Sequence, residues 1–205
     1  MAGAGRSAGR TRPSRRDAYT PDSLLAVAAR VFNDRGYDGT SMEHLARASG
    51  ITKSSIYHHV RSKEELLRLA VGRALDALFA VLDEPAARSG RAIDRLEHVS
   101  GRTVEILIDE LPYVTLLLRV RGNTRTERWA LDRRREFDHR VAELVRLAAD
   151  EGDLRGDIDP RLATRLLFGM VNSISEWYRP EGGVDASEVA GALTTLAFRG
   201  LRRRA

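Results

Sequence analysis

Apolar residues recur along this chain at intervals of three and four, and nowhere do they alternate with polar ones, so the pattern predicts an all-α fold without strands. Pro21 opens the first helix, in which Leu24, Leu25, Ala28, Val31 and Phe32 form one stripe, and Gly36 supplies a left-handed stop. Thr40 or Ser41 caps a second helix with Leu45, Ala46 and Ala48 facing inward, and Gly50 breaks it. Thr52 caps a third, very short helix reaching about His59, held by Ile51, Ile56 and Val60. Ser62 caps a fourth, from Lys63 to Leu82, with Glu65 placed for a capping box and Pro85 beyond its end. Further helical segments are predicted over 92–108, from Pro112, and over 127–151, 160–178 and 187–201.

Three regions follow from this pattern. Residues 1–16 form a small, basic arm without an apolar face, 17–77 a unit of short helices, and 78–205 a larger helical bundle. The 205-residue chain has no cysteine, which removes disulfides, thiolate metal sites and cysteine nucleophiles. No apolar stretch is long enough to span a bilayer and no secretory h-region follows the basic start, so a cytoplasmic protein without membrane contact is expected.

Charge sharpens the picture. Residues 1–70 hold 12 Lys and Arg against 7 Asp and Glu, whereas the rest of the chain holds 22 of each, so the net charge of +5 belongs to the first third. A polyanion would be met there.

The segment from Thr40 to Lys63 carries the chemistry: two short helices joined by Ser49-Gly50-Ile51, the spacing of a helix-turn-helix whose second helix enters the major groove. A two-turn helix with few apolar side chains cannot stabilise itself and must be held by its neighbours. Its outer face presents Thr52, Lys53, Ser54, Ser55, Tyr57 and His58, groups that reach bases and phosphates. Helix N-termini at Ser41 and Ser62 offer free N–H groups to phosphate oxygens. His58-His59 does not suggest a metal site, because adjacent helical residues point about 100° apart and do not converge on one ion.

The same stretch resembles the TetR/AcrR family of transcription regulators. The resemblance is carried by Val31-Phe32, Arg35-Gly36-Tyr37, Thr40-Ser41-Met42, Ala46, Gly50-Ile51, Ser55-Ile56-Tyr57-His58-His59-Val60 and Lys63-Glu64-Glu65-Leu66. It implies that Thr52, Lys53, Ser54 and Ser55 lie near base edges, while Tyr57, His58, Lys63 and Thr40 or Ser41 clamp phosphates. The arm arginines Arg10, Arg12, Arg15 and Arg16 would track the backbone or enter a minor groove. Gly39 departs from the family pattern, and its added freedom is expected to loosen the lead into the second helix.

In the C-terminal part, the helix from Pro160 is too apolar to turn one face to water. With Val189, Leu193, Leu196, Ala197 and Leu201 of the last helix it suggests pairing with a second copy across a two-fold axis, the homodimer that the family resemblance implies. A small-molecule cavity among the middle helices is expected to be walled by Leu107, Leu111, Tyr113, Leu117, Trp129, Phe137, Phe168 and Trp177. The run Trp177 to Gly183, with Val184 and Glu188-Val189-Ala190, resembles a branch of the family released from DNA by acyl-CoA thioesters. That resemblance implies an apolar tunnel for the acyl part and arginines such as Arg119, Arg121 or Arg125 for the CoA phosphates.

The expectation is therefore a dimeric repressor that binds double-stranded operator DNA and is released by a small apolar effector, with no cofactor and no metal. An architectural DNA-binding protein without ligand control is the alternative. Catalysis is not expected, since no nucleophile motif, metal-ligand pattern or phosphate loop is present.

Overall fold

The computed structural model describes residues 20–201, with side chains to Arg199. The arm arginines Arg10, Arg12, Arg15 and Arg16, and the side chain of Leu201, lie outside the described residues.

The described residues form α-helices without strands: α1 Pro21–Arg35, α2 Met42–Ser49, α3 Lys53–His59, α4 Lys63–Asp83, α5 Pro85–Arg88, α6 Ala92–Asp109, α7 Leu111–Arg119, α8 Arg125–Asp150, α9 Pro160–Trp177 and α10 Ala186–Leu201. Short side chains start most of them. Thr20, Ser41, Thr52, Ser62, Thr124 and Asp159 each accept a hydrogen bond from a backbone N–H of the first turn. The capping box expected at Ser62 does not close: the Glu65 carboxylate accepts from the N–H of Arg61, one residue before the cap. Boxes close instead at Ser41, with His44 as the reciprocal partner, and at Thr124 with Glu127.

The first core lies among α1 to α4, where Leu24, Phe32, Leu45, Ile56, Leu66 and Leu67 are almost fully buried. In α2 the inner face is Met42, Leu45 and Ser49; Ala48 is exposed, contrary to the sequence expectation. Ser49 can sit inside because its hydroxyl donates to the Leu45 carbonyl at 2.7 Å. Gly39 also behaves oppositely to expectation. A Cβ there would stand 2.6 Å from the Arg35 carbonyl oxygen, so glycine permits a close approach that tightens the lead into α2.

The 21 residues of α4 run out of this core into the second, packing on α1, α6 and α7 and lying along α8 from Glu64 and Arg68 to Phe79. α8 lies along α9, and α10 lies along α6. The inner face of α9 buries Leu167, Phe168, Val171 and Ile174, while Leu162, Leu166, Met170 and Trp177 form an exposed stripe on the opposite side. On α10, Val189 and Leu193 are buried within the protomer, and Leu196 points outward with 73% of its surface exposed. The last helix therefore spends most of its apolar positions on its own chain.

Candidate DNA interface and effector cavity

Only Ile56 of α3 is buried, and Val60 just beyond its end completes the anchor. Two apolar contacts and a Thr52 cap are enough to dock two turns of helix on α2, and most of the remaining side chains of α3 face outward. Thr52, Lys53, Ser54, Tyr57 and His58 are exposed, and Ser55 is half-buried with its hydroxyl 2.8 Å from that of Thr52. Gly50, at φ 69°, supplies the left-handed residue that turns the chain between α2 and α3.

A carboxylate stands beside this polar face that sequence reasoning did not single out. Glu43, in the first turn of α2, is ion-paired with Lys53, and the Lys53 hydrogen bond holds its pKa down to about 2. The same contact raises the Lys53 ammonium. Both groups are exposed, so the pair orients Lys53 more than it stabilises the fold.

Two of the expected phosphate ligands are engaged inside the domain. Thr40 is buried and its hydroxyl donates to the Gly36 carbonyl at 2.7 Å, so its side chain does not reach the surface. The Lys63 ammonium donates to the carbonyls of Tyr37 and Thr40, both at 2.8 Å, and lies 4.2 Å from the centroid of the Tyr37 ring. It ties the α1–α2 loop to the start of α4. Burial, with the carboxylates of Glu64, Asp38 and Glu127 nearby, pushes the Tyr37 phenol up to about 12. Ser41 is half-buried and uses its hydroxyl to cap α2.

In the second core, α4, α6, α7, α8 and α9 enclose a cavity of about 50 Å³. Leu107, Leu117, Phe137 and Phe168 line it as expected. Leu111, Tyr113, Trp129 and Trp177 do not. Tyr113 is turned toward α4, with the Arg73 guanidinium 4.6 Å from its ring centroid. Trp129 carries the stacked guanidinium of Arg68, and Trp177 is on the outer surface of α9. The polar lining, Arg134, Asp138, Asn172 and Thr103, was missed. The signal for it is spacing: Arg134 occupies a step of the stripe formed by Ala130, Phe137 and Val141, where an apolar residue is due.

None of the expected phosphate-binding arginines borders that cavity. Arg119 and Arg121 line a separate cleft of about 630 Å³ between α1 and the α7–α8 turn, and Arg125 starts α8 on the surface. Arg119 donates to the backbone carbonyl of Asn33, and Asn33 in turn donates from its amide to the Pro112 carbonyl at 2.7 Å. Among the described residues no three His, Asp or Glu side chains gather as metal ligands, and no helix is long and apolar enough to cross a membrane.

A short, externally polar helix presented by a three-helix core, continued through a shared helix into an all-helical domain, defines a helix-turn-helix regulator. Comparison with known proteins carries this further. The family model "Bacterial regulatory proteins, tetR family" matches residues 24–70, and "Tetracyclin repressor-like, C-terminal domain" matches residues 89–201. The chain is 30% identical over 192 residues to the HTH-type transcriptional repressor KstR2 of Rhodococcus jostii (strain RHA1), covering 87% of this chain and 89% of that protein. The crystal structure of SCO3833, a TetR-family member from Streptomyces coelicolor A3, is 67% identical with a TM-score of 0.83, covering 91% of this chain and 94% of that one. AibR, solved with isovaleryl coenzyme A and operator DNA, is 25% identical with a TM-score of 0.73, covering 87% and 97%. The chain belongs to the TetR family and is a DNA-binding transcription regulator, not an enzyme.

Proposed function

We propose that this protein is a homodimeric, cytoplasmic repressor that leaves its operator when an apolar acyl thioester, such as an acyl-CoA, enters the second core. The observation that carries the reading is the size and wall of the cavity. Leu75 and Leu78 of α4 line a space of only about 50 Å³, which no acyl group of several carbons enters without moving its walls. The other end of α4 is fastened by Lys63 to the loop that leads into α2. A ligand that fits only a displaced α4 has differential affinity for that state and draws the population toward it.

The division of labour we propose runs through α4 near residue 77, with DNA contact on one side and effector and dimer contact on the other. Lys53, Ser54 and Thr52 meet base edges, with Ser55 behind them, and Tyr57 and His58 meet phosphates. The free N–H groups at the start of α2, beside Ser41, replace the buried Thr40 side chain as a phosphate contact. Lys63 contributes through position, since two of its three donors are engaged. One two-turn helix reads too few bases for useful specificity, and the exposed stripe of Leu162, Leu166, Met170 and Trp177, with Leu196, offers the apolar surface for a second copy. That dimer would set two α3 helices about 34–36 Å, or a multiple, apart on one face of the duplex.

The repressor relative KstR2 and the acyl-CoA-bearing neighbour AibR support this reading. The test is operator titration of the full chain with and without a panel of CoA thioesters bearing acetyl, isovaleryl, octanoyl and cyclohexanecarbonyl groups. Loss of operator binding with at least one thioester is expected, together with a raised melting temperature. Unchanged operator affinity and melting across the panel and the matching free acids would leave the architectural alternative in its place.

A further inference from the structure

The wall of the second-core cavity is mostly apolar, broken by Thr103 of α6 and, on the side of α8 and α9, by three further polar side chains. There Arg134 and Asp138, one turn apart on α8, and Asn172 of α9 face the same space. Asp138 lines the cavity and is exposed to solvent, so the cavity opens on this side. Arg134 is half-buried on the apolar stripe of α8, where a guanidinium forfeits hydration.

The protein returns little of that loss. Among the described residues Arg134 and Asp138 make no ion pair with each other. The one hydrogen bond that Arg134 makes among the described residues runs to the Leu117 carbonyl at a long 3.4 Å. Asp138 accepts none from the described residues. Desolvation lowers the pKa of Arg134, and it raises that of Asp138 against the opposing pull of Arg134, His139 and Arg165. A donor-only group, an acceptor-only group and an amide that does both therefore stand, largely without protein partners, at the opening of an apolar space.

The chemistry of this set selects its ligand. A carboxylate would satisfy Arg134 and be repelled by Asp138, and an ammonium would do the reverse. A neutral group carrying an N–H beside a C=O satisfies both, and a secondary amide is that group. The cysteamine arm of a CoA thioester bears one two carbons from the sulfur. Resting on the thioester reading above, we infer that Arg134, Asp138 and Asn172 form a neck that binds the amide of this arm while the acyl group fills the apolar cavity. The phosphate-bearing end then leaves beside His139 and Arg165 rather than through the cleft at Arg119 and Arg121.

Calorimetry on the full chain separates the neck from the reading it rests on. For each acyl group of the panel, the N-acetylcysteamine thioester, which has the amide and no phosphate, is compared with the S-ethyl thioester, which has neither, and with the CoA thioester. The amide-bearing thioester of at least one acyl group is expected to bind about tenfold tighter than its S-ethyl counterpart. Asp138→Ala and Arg134→Gln should each remove most of that advantage, read as the ratio of the two affinities within each variant, with ligand-free operator binding as the check that the variant is folded. Equal affinity of the two thioesters, or an advantage that survives both substitutions, overturns the neck and leaves the effector reading standing. No binding by any thioester overturns the effector reading and the neck with it.

Discussion

Arg73 and Glu110 join the two halves of the molecule through a pair of parallel hydrogen bonds, Nε to Oε2 at 2.6 Å and Nη2 to Oε1 at 2.8 Å. Arg73 belongs to α4, and Glu110 is the residue between α6 and α7. Beside them the Asn33 amide of α1 holds the Pro112 carbonyl. The start of α7, which also walls the cavity through Val114, Leu117 and Leu118, is thus gripped by both α1 and α4.

Breaking this clasp should weaken operator binding more than it weakens the fold. The Arg73 side chain is 41% exposed, so the pair contributes only about 1 kcal/mol to stability. Arg73→Glu and Glu110→Arg should each lower operator affinity several-fold, and the double variant should recover most of the loss in a double-mutant cycle. Additive losses would show that the two residues act separately.

Tyr57 is 47% exposed on the outer face of α3. Tyr57→Phe should cost about 1–2 kcal/mol of operator affinity, as expected for a hydroxyl bonded to a phosphate, with the melting temperature unchanged. An unaltered titration curve would assign the ring to packing against DNA and leave the hydroxyl without a role.

Lys63 tests the difference between holding a loop and holding DNA. Lys63→Met removes two hydrogen bonds to carbonyls and the contact with the Tyr37 ring, so thermal unfolding should report a loss of about 1–3 kcal/mol. The salt slope of operator binding should change by less than about one unit. A full unit of slope with no change in melting would make Lys63 a direct phosphate ligand.

Gly39→Ala places a methyl against a backbone carbonyl that cannot swing away. Overpacking of this kind costs about 1–3 kcal/mol, read as a lower urea midpoint. The operator affinity of the folded fraction should fall as well, because Gly39 precedes the cap of α2.

Glu84 gives a pH dependence with a definite sign. Burial at the end of α4 pushes its carboxyl up, but hydrogen bonds with His98 at 2.6 Å and from Arg102 at 3.2 Å outweigh this and hold it below the usual carboxylate range. Because the folded value lies below the unfolded one, its contribution is complete above about pH 4.5 and is lost as pH falls through the folded value. Glu84→Gln should therefore be less stable than the parent at neutral pH, and the gap should close in acid. A gap that stays constant down to pH 3 would remove the charge from the explanation.

The helices and the reading head are legible in the residues themselves. A cap and a stripe are local properties: Thr52 reaches Ser55, and Leu24 to Phe32 lie on one side of a helix whatever packs there. The same reasoning fails wherever the partner lies far along the chain. Val189 and Leu193 read as surface for a second copy because their pattern does not say that α6 covers them. Trp129 and Trp177 read as cavity walls because size and apolarity do not reveal that Arg68 stacks on one and that the other faces outward.

What the chain of residues determined by itself is a set of capped helices and one helix too short and too polar to serve only its own core. Those depend on interactions within a few residues, which periodicity records. Tertiary structure alone decided that Thr40 and Lys63 look inward, that Gly39 lies against a backbone carbonyl, and that Arg134 and Asp138 line the same cavity. Each of those depends on a carbonyl, a ring or a void brought near by packing, and which hydrogen-bonding groups remain free after packing is a property of the folded whole.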